Sequence, residues 1–240
     1  MILALAAAIA AAVPAAPAAA PPAAPASACP DVVTADALVC RALDAQKHGR
    51  AGDAAQAFEE AAKASADADP KTARMWAAAG NLWIAAGQPG KAAIDLDKAL
   101  ALPGLEARQR GEALLDRARA AEAQDDLKTA RARLTEAAAT ISDDPFLWYF
   151  SAALAIREGD PATAQSAIGT ALKLVPTDPT VLFEAGHVAH FAGDDSKARY
   201  YWERAASLDQ GGSVGKAAKD AIALLPATPT MVTKAAPRTK

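Results

Sequence analysis

Five tight-turn residues recur along the middle of the chain at nearly constant intervals: Gly52, Gly87, Asp125, Gly159 and Gly193 lie 35, 38, 34 and 34 residues apart. A period of this size holds one supersecondary unit, too small to bury its own apolar face. Such a chain must therefore stack its units side by side. Five residues after each turn stands an alanine: Ala57, Ala92, Ala130, Ala164 and Ala198. Four residues later come Ala61, Leu96, Leu134, Ile168 and Trp202, and three later again Ala64, Ala99, Ala137, Ala171 and Ala205. Spacing of i, i+4, i+7 is one face of a helix. Upstream of the turn a second helix alternates large and small residues: Trp76, Gly80 and Trp83; Leu114, Ala118 and Ala121; Trp148, Ala152 and Ala155; Leu182, Gly186 and Ala189.

Composition supports helices packed at close range. Of 240 residues 70 are alanine, the best helix former, and 52% are hydrophobic while only 5% are aromatic. With 14 glycines and two cysteines the chain is neither collagen nor a disulfide-dense scaffold, and its apolar content excludes wholesale disorder. A net charge of −3 provides no basic field for nucleic acid. After residue 30 no apolar run reaches the roughly 18 residues that span a bilayer, so no transmembrane helix is expected in a mature chain.

On these residues the chain resembles the tetratricopeptide repeat family, whose 34-residue unit reads W-x2-L-G-x2-Y, then A-x3-F, then P. The fourth unit carries the resemblance best, with Trp148, Ala152, Gly159, Ala164, Ile168, Ala171 and Pro176 at family positions. The first unit reads as degenerate, with Arg41 and Asp44 at apolar positions, and the third has Arg117 and Asp125 where the pattern asks for an apolar residue and a glycine. An insertion around Pro103 to Arg110 accounts for the 38-residue step. The resemblance implies an all-α, right-handed superhelical solenoid of about five helix-turn-helix repeats, with units near 38–72, 73–110, 111–144, 145–178 and 179–212. Beyond them Val214, Ala217, Ala218, Ala221, Ile222 and Leu225 form the apolar face of a capping helix over 213–225, with Lys216, Lys219 and Asp220 on its wet side. Ser142-Asp143-Asp144-Pro145 and Thr177-Asp178-Pro179 read as helix caps. Asp125-Asp126 and Asp194-Asp195 sit where a helix dipole favours anions, and they lack the ligand spread of a calcium site.

The ends read differently. Residues 1–30 carry no charge: Met1 to Val13 is an apolar segment and Pro14 to Pro30 is rich in Ala and Pro, the pattern of an export signal and linker. The signal lacks the basic residues expected before its apolar core, which keeps a cytoplasmic location as the alternative to a periplasmic or secreted one. Residues 226–240, with Lys234, Arg238 and Lys240, read as a disordered basic tail, leaving 31–225 with a net charge of −6. Cys29 and Cys40 are a candidate disulfide in an oxidising compartment. The alternatives are two buried thiols, or a lipid anchor at Cys29, although Ala26-Ser27-Ala28 lacks the large aliphatic residue of a lipobox.

Function belongs to the concave face of such a solenoid. The resemblance implies that this groove is lined by positions two, five, nine, twelve and thirteen of each unit. Here these are Arg74, Asn81 and Ile84; Glu112, Leu115, Arg119 and Glu122; Phe146, Tyr149, Ile156 and Arg157; and Phe183, His187, His190 and Phe191. Phe146, Tyr149 and Phe183 are costly to expose without purpose and mark an interaction patch, unless they pack on a neighbouring unit. His187 and His190, with Glu184 one turn earlier, have the spacing for metal ligands, but no further Cys or His stands in a neighbouring unit to complete a zinc site, and H-E-x-x-H is absent. No phosphate loop and no nucleophile elbow occurs. The expectation is a non-enzymatic scaffold, without cofactor or catalytic residue, holding a peptide or protein segment. Self-association into an envelope assembly is the alternative, and a metal-dependent hydrolase using Glu184, His187 and His190 is a minor one.

Overall fold

A computed structural model describes residues 29–226, and among them the chain forms eleven α-helices and no strand. They are α1 (Ala35–Lys47), α2 (Ala51–Lys63), α3 (Pro70–Ala85), α4 (Pro89–Ala101), α5 (Ala107–Glu122), α6 (Leu127–Ile141), α7 (Pro145–Glu158), α8 (Pro161–Leu174), α9 (Pro179–Phe191), α10 (Asp195–Leu208) and α11 (Ser213–Leu224). Each helix packs on the next, and α3 with α5, α7 with α9 and α9 with α11 also touch. The result is an open all-α solenoid of five helix pairs and a final single helix. Apart from Cys29, Pro30 and Pro226, the leader and the basic tail read from the sequence lie outside the described residues. No helix among the described residues is long and apolar enough to cross a membrane.

Local chemistry sets the helix boundaries. Asp69, Asp144, Asp160 and Asp178 cap α3, α7, α8 and α9 by accepting a hydrogen bond from an early backbone N–H, each directly before a proline at the first helical position. The Asp69-Pro70 cap starts the second pair three residues before the position read from the sequence, 73. The third pair starts earlier as well, at Ala107, because Glu106 and Gln109 form a capping box inside the stretch read as an insertion. At the turns, Gly159 has φ of 74° and Asp125 has 63°, a left-handed conformation that an L residue adopts at a cost and that aspartate tolerates better than most.

In the first unit the sequence reading is three residues out of register. The left-handed turn residue is Gly49, whereas Gly52 lies inside α2. Counted from Gly49, the second-helix pattern is Ala54, Phe58 and Ala61, and the first-helix pattern is Leu38, Ala42 and Ala45, all buried. The unit is not degenerate: Arg41 points away from the core, donating from Nε to the Ala37 carbonyl at 3.3 Å and bonding the Val32 carbonyl. Two glycines three residues apart, Gly49 and Gly52, offered the same turn chemistry, and the period alone favoured the wrong one.

The core is a chain of small clusters passing from unit to unit. Its recurring contact joins a small residue on the first helix to a larger one sixteen positions later on the second, as in Ala118 with Leu134, Ala152 with Ile168, Gly80 with Leu96 and Gly186 with Trp202. A Cβ on Gly80 would lie 2.5 Å from Leu96 Cγ, and one on Gly186 would lie 2.2 Å from Trp202 Nε1. The small residue therefore admits a side chain of its paired helix. Residue size on the second helix does not alone fix the partner, since Leu96 faces a glycine and Leu134 an alanine, but the largest of them, Trp202, leaves no room for a Cβ.

Cys29 and Cys40 are joined by a disulfide with Cα atoms 5.7 Å apart, tying the segment before α1 to its second turn. Closing a loop of 11 residues restricts the unfolded chain by about 2–3 kcal/mol in the loop-entropy account. Reduction is expected to loosen α1 by that amount and leave units three to five unchanged, because contacts in a solenoid reach only nearest neighbours. Amide hydrogen exchange with and without reductant reads this. Loss of protection throughout the chain would contradict it.

Candidate functional site: the inner face of the first helices

A cleft of about 520 Å³ opens on the inner face, lined only by first helices of the pairs and the segments before them: Arg74, Ala77, Ala78 and Asn81 of α3, Leu105, six residues of α5 from Gln109 to Arg119, Asp144, and Phe146 of α7. Of the residues read from the sequence as a groove in units two, three and four, Arg74, Asn81, Glu112, Leu115, Arg119 and Phe146 meet here, whereas Ile84, Glu122, Tyr149, Ile156 and Arg157 do not line this cleft. Asp116, absent from that reading, organises the cleft. It accepts from Asn81 Nδ2 at 2.7 Å and from Arg119 Nη1 at 2.8 Å, joining adjacent units. The Arg119 guanidinium also lies 5.3 Å from the Phe146 ring centroid. Phe146 in turn meets Tyr149 edge-on at 4.8 Å and stacks on Phe150 at 6.2 Å. These aromatics are half-buried, and Phe146 among them lines the cleft. Glu112 is engaged with Arg108, which also reaches Asp143 of the following unit.

Other residues do not join this cleft. Arg157 bonds the Glu122 carboxylate, the Glu122 carbonyl at 3.0 Å and Asp125 Oδ1 at 2.6 Å, so its guanidinium staples unit four to unit three instead of facing a partner. Arg131 makes a similar bridge to Glu158 Oε2 at 3.0 Å and Ser151 Oγ at 2.8 Å. Bonds between residues 35 apart recur, in Asn81 with Asp116 and Arg157 with Glu122, because stacking places equivalent positions side by side.

His187, His190 and Phe191 line a second, mostly apolar cleft of about 450 Å³ at the capped end, together with Ile156, Trp202, Ala221, Leu224 and Leu225. The His187 ring stands edge-on to Phe183 at 4.5 Å and to Trp202 at 5.4 Å, and burial, helped by His190, lowers its pKa so that it stays neutral at pH 7. His190 Nδ1 lies 2.7 Å from Asp195 Oδ1. Glu184, His187 and His190 do not converge, and no three His, Cys, Asp or Glu side chains among the described residues are placed to share a metal ion. The hydrolase constellation read from the sequence is thus not assembled.

A third cleft, of about 400 Å³ between α2 and α4, went unnoticed in the sequence. Lys91 and Lys98 lie over the rings of Trp83 and Trp76 at 4.1 and 3.8 Å, covering the two indoles that the repeat pattern places in the core. The buried Asp95 carboxyl bonds Lys98 at 3.3 Å, and burial followed by the Glu59 charge raises its pKa.

No protein-family profile matches the chain, and no curated protein matches it in sequence. Solved structures do match in shape, and the shared class is the helix-hairpin solenoid. A MamA protein is 18% identical over 81% of this chain and 98% of its own, with a TM-score of 0.59. YrrB, described as a TPR protein with an unusual peptide-binding site, is 18% identical over 78% of this chain and 92% of its own, at 0.57. PilW, a type IV pilus biogenesis factor, is 18% identical over 76% and 81%, at 0.65. The chain has the tetratricopeptide repeat fold.

Proposed function

We propose that the protein is a non-enzymatic scaffold that holds an extended peptide or protein segment along the inner face from α3 to α9. The observation that carries this is the 520 Å³ cleft, built from equivalent faces of successive first helices and offering Asp116, Arg119 and Phe146 in one continuous surface. YrrB, with the same fold, has a peptide-binding site by its description. Backbone-spaced polar groups beside an aromatic ring suit a segment that lies extended, with alternate side chains turned to the protein.

Alanine at both Tyr149 and Phe183 is expected to weaken capture of a selected peptide by about tenfold or more, the size of a lost aromatic anchor, with helicity by circular dichroism unchanged. Full-strength capture by the double variant would move the site elsewhere.

The reading includes an extracytoplasmic location. A disulfide between Cys29 and Cys40 persists in oxidising compartments, and an uncharged apolar segment precedes it in the sequence. The native chain is expected in the envelope fraction, shortened at its N-terminus and two hydrogens lighter than its reduced form. An unprocessed cytosolic species with free thiols, seen by intact mass, would sink this part alone.

A further inference from the structure

Asp116 and Glu184 occupy the same place in their units, nine residues before the turn residues Asp125 and Gly193. Both stand on the inner face of a first helix, yet their surroundings differ. Asp116 is satisfied twice, by Asn81 from the preceding unit and by Arg119 of its own helix, each six residues before its turn. In the last unit the two equivalent positions hold Ala153 and His187. Alanine can donate nothing from its side chain. His187 spends its ring on Phe183 and Trp202. Among the described residues Glu184 accepts no hydrogen bond and enters no ion pair, and burial alone raises its pKa to about 7.

The groups around it carry no cation. From α7 comes the Tyr149 phenol, whose own pKa is raised by burial first and then by the Glu184, Asp178 and Asp144 charges, against Arg119. No charged side chain contributes to the Glu184 shift, which comes from burial alone. Glu184 is half-buried rather than enclosed, so part of its surface stays accessible. A carboxylate withdrawn from water without donors is unfavourable, and a cation arriving with its own hydrogen bonds relieves that cost.

We propose that Glu184 is the subsite for a basic side chain, Lys or Arg, of the segment held in the groove. The proposal rests on the groove reading and makes it specific: the bound segment places its cation over α9, beside the rings of Tyr149 and Phe183, where the solenoid's own pattern of Asn and Arg donors is missing. A buried charge pair of this kind sets specificity because an uncharged competitor leaves the carboxylate without donors.

The test uses a phage-displayed library of linear dodecapeptides selected on the whole chain at pH 7.5, with the strongest binders synthesised. The expected result is a Lys or Arg at one fixed position, with affinity lowered at least tenfold both by Glu184→Gln and by norleucine in place of that cation. The two losses should not add, since each removes the same pair. Binders without a fixed cation, or binding equally well to Glu184→Gln, would overturn the subsite while leaving the groove, provided they still lose affinity with alanine at Tyr149 and Phe183. Binders indifferent to all three residues, or no binders, would remove the groove reading as well. A Glu184 carboxyl titrating below pH 5 by carbon NMR in the free protein would also overturn the subsite, because the carboxylate would then be hydrated or already paired and would gain little from an arriving cation.

Discussion

Gly186→Ala will destabilise the last helix pair by about 3 kcal/mol or more, although alanine is a better helix former than glycine by about 1 kcal/mol. The new methyl group would stand 2.2 Å from Trp202 Nε1, 2.3 Å from Cδ1 and 2.7 Å from Cε2. Trp202 is 4% exposed and its indole N–H donates to the Phe183 carbonyl at 3.0 Å, so the ring cannot move without losing both burial and that bond. α9 and α10 must separate instead. Units three and four carry alanine at this position opposite Leu134 and Ile168, both smaller than Trp202. Adding Trp202→Leu to Gly186→Ala should therefore recover much of the loss. Urea unfolding of the single and double variants decides. Equal destabilisation of both would show that the clash is not the cause.

Glu184→Gln is expected to stabilise the protein by up to about 3 kcal/mol at pH 8 and by almost nothing at pH 4. The carboxyl titrates near 7 in the folded chain because of burial, against 4.5 when exposed, so the folded state holds its proton more tightly. Below pH 4.5 both states are protonated and no penalty exists. Between 4.5 and 7 the unfolded chain ionises first and stability falls as pH rises, by about 1.4 kcal/mol per unit. Above 7 both are ionised and the full penalty, about 3.4 kcal/mol as an upper bound for 2.5 units, persists. Glutamine keeps the shape without the ionisation. Unfolding free energies of both proteins at pH 4, 6 and 8 should diverge in that order, and a difference independent of pH would refute the account. An acid that costs stability in the free protein and is proposed to serve binding is the usual trade between the two.

Much of this was legible in the sequence because it rests on local chemistry. The period of 34 to 38, the buried i, i+4, i+7 alanines and the Asp-Pro caps state the helix pairs directly, and small residues opposite large ones announce how closely the helices approach. Of the inner-face positions carried over by resemblance, Arg74, Asn81, Glu112, Leu115, Arg119 and Phe146 line one cleft. The failures have equally local causes. Gly49 and Gly52 compete as turn residues within one stretch, the Asp69-Pro70 cap fell inside the first unit as read, and the Glu106–Gln109 capping box fell inside the stretch read as an insertion.

What the sequence determined by itself was therefore the class of fold, its helix pairs and which faces are buried, since backbone propensity, capping and periodicity act within a few residues. Only the tertiary structure decided which charges are free. Arg157 and Glu184 are both charged residues on first helices, and nothing within either repeat tells them apart. Stacking gives Arg157 two carboxylates of the preceding unit, whereas among the described residues Glu184 takes part in no hydrogen bond or ion pair and the position equivalent to Asn81 holds Ala153, because a charge is neutralised by what the neighbouring repeat presents 27 to 35 residues away. That pairing depends on register between units, and no single repeat contains it.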